Sequence, residues 1–280
     1  MKMKSSLVIR RLYVILILAL TSSFIYGQNN QAEKGFVPEV GQEGKDVVWV
    51  PTPQELVDTM LSIANVTPGD FVIDLGSGDG RTVITAAKRG ARAIGIEYNP
   101  NMVALSKSNA EKAGVTGKAE FIEADLFEYD FSKATVITMF LLPEINMKLR
   151  PRLLELKPGT RIVSNTFTMQ DWEPDLEVNT DDNWNSWNTA LLWIIPAKVE
   201  GTWKLGTSEL SFTQQFQMVY GKITTNGKSV TISDGRLRGD EITFKAGDAL
   251  YTGKVDGKRM TGTVTDKSVK SDWIATKTGN

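Results

Sequence analysis

The chain of 280 residues contains no cysteine and no histidine. Those two absences remove whole classes of chemistry: a Ser-His-Asp triad, a thiol nucleophile, a thiolate or imidazole zinc site and a disulfide framework. Any reaction must run on carboxylates, hydroxyls, amines and backbone groups, or on a cofactor that brings its own reactivity. No side chain stands out by type as catalytic, and no metal site is expected. Long apolar runs are scarce beyond the N-terminus. With 41% hydrophobic and 23% charged residues, the composition is that of a globular protein and argues against a multi-span membrane protein.

The N-terminus carries Lys2, Lys4, Arg10 and Arg11, then an uncharged run from Leu12 to Tyr26, then Gly27. That run is short of the about 20 residues that span a bilayer, and a small residue precedes the expected cut, so residues 1–27 have the layout of a secretory signal. The alternative is an uncleaved anchor. Either way the basic flank stays inside and the remainder is expected outside the cytoplasm, in the periplasm or cell envelope, with membrane proximity. Losing 1–27 removes four basic residues and no acidic ones, moving the formal charge from -1 to -5. No basic stripe remains, and no nucleic-acid partner is expected. Oligomeric state is not legible.

Residues 28–46 lack periodicity and read as a flexible lead-in. A domain over 47–196 follows. Thr52 suits a helix cap, Pro53 the first helical position and Glu55 the return bond of a capping box. Leu56, Val57, Met60, Leu61 and Ala64 then line one helical face. From Pro68 the pattern alternates: strands over 71–75, 92–97, 119–125, 134–140 and 161–164, with helices over 82–88, 99–113 and 144–156, the last kinked or restarted at Pro151. Repeated βα units imply an α/β fold with a mostly parallel, Rossmann-like sheet. Over 197–280, short alternating runs separated by Gly and Asp predict a small antiparallel β-barrel or sandwich. Gly201-Thr202-Trp203 and Ser271-Asp272-Trp273 would mark its two edges.

The chemistry centres on Asp74 to Arg81, DLGSGDGR, between the first strand and its helix. Gly76, Ser77, Gly78, Asp79 and Gly80 permit a tight turn and close ligand approach at the carboxyl end of a strand, where open α/β sheets bind ligands. A dinucleotide fingerprint needs a third glycine where Arg81 stands, which disfavours a nicotinamide oxidoreductase. By itself such a loop also fits a tight turn in any Rossmann-like domain. Glu97, ending the second strand, is placed to accept from two ribose hydroxyls, and Asp125, ending the third, from an adenine amino group.

With these motifs the chain resembles class I S-adenosylmethionine-dependent methyltransferases over Val50 to about Asp175. More narrowly it resembles the small protein-lysine methyltransferases that act on adenine nucleotide translocase and the ATP synthase c subunit, and more distantly the Dot1-type enzymes. The matching blocks are VPTP (50–53), DLGSGDGR, GIEYNP (95–100) and LKPGTRIVS (156–164). The resemblance implies S-adenosyl-L-methionine as cofactor, with the loop on its methionine part, Glu97 on ribose, and Asp125 near adenine with Tyr98 and Leu126 packed beside it. It implies a methyltransferase whose acceptor is a protein lysine or a small molecule.

Methyl transfer from a sulfonium asks for alignment and desolvation more than for acid or base, so the missing histidine is no obstacle. The stretch 138–143 lacks the Asn/Asp-Pro-Pro-aromatic motif of enzymes that methylate amide or nucleobase nitrogens. Phe140 and Leu142 suit a neutral amine or equally a core. Residues 171–187, with Asp171, Trp172, Glu173, Asp175, Asp181, Asp182, Trp184 and Trp187, read either as an acidic aromatic rim or as tryptophans packing between domains. The competing function is an exported adenosyl-ligand-binding module without turnover, using the β domain for partner recognition.

Overall fold

Apolar runs bounded by glycine become the parallel strands of one sheet. In the computed structural model, which describes residues 36–45, 48–181 and 187–279, α1 (Gln54–Ile63) precedes β1 (Phe71–Leu75). Then follow α2 (Arg81–Lys88), β2 (Arg92–Glu97), α3 (Pro100–Lys112), β3 (Ala119–Glu123), β4 (Val136–Met139), α4 (Pro143–Leu153) and β5 (Arg161–Asn165). Two antiparallel strands, β6 (Leu176–Asn179) and β7 (Thr189–Ile194), complete a seven-stranded sheet in the order β3-β2-β1-β4-β5-β7-β6. The chain leaves β1 toward β2 and β3 on one side and returns to β4 and β5 on the other. A crevice opens above β1 where that direction reverses.

Alternate strand residues feed two cores. Leu56, Val57, Met60 and Leu61 of α1 pack with Val72, Val83 and Val103 on one face, each fully buried side chain contributing about 1.5 to 3 kcal/mol. Ile73, Leu75, Ile137, Leu149 and Trp193 fill the other. Asn99 caps α3, its side chain accepting from the amides of Asn101 (2.9 Å) and Met102 (3.4 Å), with Pro100 in the first helical position as expected.

Several boundaries differ from the sequence reading. Pro53 stands at the cap of α1 and no side chain caps that helix, because Thr52 is engaged elsewhere: its hydroxyl accepts from Asn165 and its carbonyl from Arg81. Helix α4 ends at Leu153, two residues after Pro151, with no restart, since a proline so near the end removes a bond only from the final turn. Strands β3 and β4 stop before Asp125 and Phe140, which lie free of the ladder at the sheet's carboxyl edge. Strands β6 and β7 are new. Among the described residues no helix is long and apolar enough to cross a membrane. The expected signal over 1–27 lies outside the described residues.

The C-terminal part is a closed barrel of eight antiparallel strands in meander order. They are β8 (Gly201–Leu205), β9 (Ser208–Gln215), β10 (Met218–Thr225), β11 (Lys228–Arg238), β12 (Glu241–Ala246), β13 (Ala249–Asp256), β14 (Arg259–Asp266) and β15 (Val269–Gly279). The expected edges do not exist: β15 pairs with β8, placing Lys277 opposite Trp203, because closure is what satisfies both edge ladders. Trp203, Leu210, Phe212, Leu237, Phe244 and Met260 fill the interior. Gly253 and Gly262 face each other under Trp273, where a Cβ on Gly253 would stand 2.6 Å from the indole.

Contacts between barrel and sheet domain include the segment joining β5 to β6, the residues after β7, and Arg150 of α4, whose guanidinium lies 5.3 Å over the ring of Phe216. Trp172, fully buried, donates to Gln217 (2.8 Å) and stacks on Phe216 at 5.4 Å. Asp175 pairs with Arg236 (2.6 Å), and the amide of Ala197 donates to the carbonyl of Gly239 (2.8 Å). Trp172 and Asp175 thus join the domains, and Asp171 pairs with Arg150 (2.5 Å). Asp182 and Trp184 lie outside the described residues.

Candidate cofactor cleft

Loop geometry follows from the glycines. Gly76, Gly78 and Gly80 have φ of 79°, 54° and 84°, a region open to glycine at little cost. The turn hangs on β2, with the amides of Gly76 and Ser77 donating to the carbonyl of Ile96 (2.9 and 3.0 Å). Above it lies a solvent-open cleft lined by Asp74, Gly76, Ser77, Gly78, Asp79, Glu97, Tyr98, Asp125 and Leu126. Nine of the ten residues singled out from the sequence therefore meet in one place. The tenth, Gly80, does not line the cleft. It faces inward, where a Cβ would come within 2.6 Å of Phe121 and 3.0 Å of Ser106, so helix-on-sheet packing requires its glycine.

The acidic side chains occupy different environments. Asp74 is buried on β1 and accepts from Thr138 on β4 (2.6 Å). Burial pushes its carboxyl up to about 7; the Thr138 hydroxyl works against this, while Glu97 and Asp79 add to it. Glu97 accepts from the amides of Gly78 (2.9 Å) and Asn99 (3.0 Å), which locks the end of β2 to the loop and leaves further lone pairs on both oxygens. Asp125 accepts from Lys45 (2.5 Å) and from the amide of Phe127 (2.8 Å). The Lys45 ammonium, then that amide, hold its carboxyl below the usual range. Asp79 is paired with Arg81 (2.6 Å). Ser77 contributes backbone to the loop; its hydroxyl is buried without a partner beneath Gly95, where a Cβ would meet it at 2.5 Å.

Residues beyond those ten form the rest of the wall, among them Phe140, Leu142 and Trp187, which the sequence offered for a neutral amine or an aromatic rim. Gln42, Lys45, Trp49, Val50 and Thr52 line the cleft from a segment without periodicity. Trp49 lies so close to the loop that a Cβ on Gly78 would stand 2.7 Å from its Nε1. Arg81, which disfavours a dinucleotide, also has a positive role: its guanidinium joins Asp79 to the carbonyl of Thr52 (2.8 Å). Met139, Phe140, Leu142 and Trp187 line the cleft as well, with Phe140 stacked on Phe167 and edge-on to Trp187, both at 5.8 Å. Among the described residues none beyond Trp187 lines the cleft, so the barrel leaves its mouth uncovered.

An adenosyl amino acid fits this wall. The glycine cradle admits no side chain, Glu97 can take a vicinal diol, Tyr98 and Leu126 flank the Asp125 end, and the buried carboxyl of Asp74 offers an oxygen acceptor for an ammonium.

Comparison with known proteins agrees. The model of the ANTKMT methyltransferase domain matches residues 74–176. A protein-lysine N-methyltransferase of Saccharolobus islandicus is 46% identical over 152 residues, 53% of this chain and 94% of that protein. The mouse lysine N-methyltransferase of the ATP synthase c subunit is 38% identical over 128 residues, 45% of this chain, and the chain spans 51% of its length. Among solved structures, an RNA methyltransferase from Salinibacter ruber in complex with S-adenosyl-L-homocysteine is 48% identical. It covers 54% of this chain and 96% of its own, with a TM-score of 0.51. The chain therefore belongs to the family of S-adenosyl-L-methionine-dependent protein-lysine N-methyltransferases, and it is a methyltransferase that uses that cofactor.

Proposed function

We propose that the methyl acceptor is a lysine side chain of a protein, and that transfer takes place outside the cytoplasm. The observation that carries the acceptor is the aromatic cluster of Phe140, Phe167 and Trp187, which lines the same cleft as the glycine loop. When bound, the sulfonium supplies a methyl group to an attacking nitrogen. The nitrogen must arrive neutral, and an apolar wall favours that by penalising the ammonium form. Aromatic faces then suit the methylated cation. With no histidine in the chain, its work is to align the amine and exclude water, not to relay protons. The relatives named protein-lysine N-methyltransferases support the same acceptor. Export is supported by the basic and apolar N-terminal sequence.

Similarity to the Salinibacter RNA methyltransferase favours a second acceptor, RNA. The acidic charge expected of the processed chain weighs against it. Incubating the protein with a cell-envelope extract and methyl-labelled cofactor separates the two. Protease-sensitive, ribonuclease-resistant label that falls with Trp187→Ala supports lysine, whereas ribonuclease-sensitive label sinks it. Cell fractionation that finds the chain in the cytoplasm would overturn export.

A further inference from the structure

We infer that Lys45 is a cofactor-positioning residue: by pairing with Asp125 it clasps the segment before α1 across the adenine end of the cleft and slows escape of the bound cofactor. The inference rests on the cofactor site alone, so a wrong acceptor would leave it standing.

Six contacts build the clasp. Lys45 Nζ lies 2.5 Å from Asp125 Oδ2 and 4.4 Å above the ring of Tyr98, so one ammonium touches residues just past the ends of both β2 and β3. The amide of Phe127 holds Asp125 Oδ1 (2.8 Å), which fixes the carboxylate plane. Gly41 donates to the carbonyl of Trp49 and Trp49 to that of Gln42, both at 2.9 Å, tying the residues on either side of Lys45 into one bracket. At the other end Arg81 holds the carbonyl of Thr52 (2.8 Å), so the bracket is anchored beside the glycine loop as well. Each carboxylate oxygen of Asp125 has a second lone pair, and the adenine amino group can share the carboxylate with Lys45 without displacing it. The pair is partly exposed, with side-chain accessibilities of 35% and 20%, which sets a modest effect.

The test follows release of labelled S-adenosylhomocysteine from the full chain, chased with excess unlabelled compound. Lys45→Met should release it about fivefold faster, equivalent to about 1 kcal/mol, with association no slower. Lys45→Arg should restore the slow rate. Added salt should speed release from the parent protein and leave Lys45→Met unchanged, a response that a purely packing role would not give. The proposal is overturned by release that is unchanged or slower in Lys45→Met. It is equally overturned by tighter binding, which would mean the ammonium merely stands where adenine belongs, or by a loss confined to association.

Discussion

Replacing Asp74 by Asn should raise the stability of the cofactor-free protein, and raise it more as pH increases. Asp74 is buried, and its carboxyl is displaced from 3.8 to about 7. A raised value means that the folded state holds a proton the unfolded chain has already released. Stability from this group is therefore complete below about pH 4, falls as pH rises toward 7, and is level above that. The displacement corresponds to a ceiling of about 4 kcal/mol, and relaxation around an ionised carboxylate brings the expectation nearer 2 kcal/mol. Asparagine retains an oxygen for the Thr138 hydroxyl at 2.6 Å, so the exchange removes charge and little else. Urea unfolding of both proteins at intervals from pH 5 to pH 8 reads the difference. The gap should widen by as much as about 1.4 kcal/mol per pH step between 5 and 7 and then flatten. A gap that does not change with pH, or a variant less stable at pH 8, would refute the reasoning.

Three further outcomes follow from the same geometry. Glu97→Ala removes the acceptor for the amides of Gly78 and Asn99 together with the one proposed for ribose, and should weaken S-adenosylhomocysteine binding by about 1 to 3 kcal/mol by calorimetry. Ser77→Ala deletes a buried hydroxyl that has no partner, so thermal unfolding should show stability unchanged or raised by up to about 1 kcal/mol, with cofactor affinity intact. Trp172→Ala should cost about 3 to 5 kcal/mol and loosen the barrel, seen as a second unfolding transition or as new proteolytic cleavage between the domains.

The parallel part of the sheet was legible because its signals are local: apolar strands, a glycine turn, then a helix start, as at Asn99-Pro100. The glycine loop, Glu97 and Asp125 were legible for the same reason, since strand ends fall where the pattern breaks. What escaped depends on distant partners. Thr52 reads as a cap until Asn165 and Arg81 claim its oxygens. Gly80 reads as ligand-facing until Phe121 and Ser106 are seen beneath it. Strand β6, Leu-Glu-Val-Asn, alternates apolar and polar residues over only four largely exposed positions, too short a run to read alone, and pairing with β7 defines it. The bracket around Lys45 and Trp49 has no period at all, and its order comes from the cleft it lines.

Tandem mass spectrometry of envelope proteins after incubation with the purified enzyme and isotopically methyl-labelled cofactor tests the central claim most directly. The label is expected on lysine side-chain nitrogens, in a protein set that loses it when Glu97 is replaced by Ala. Label on another residue type or in nucleic acid, or lysine labelling untouched by the Glu97 substitution, would contradict the account.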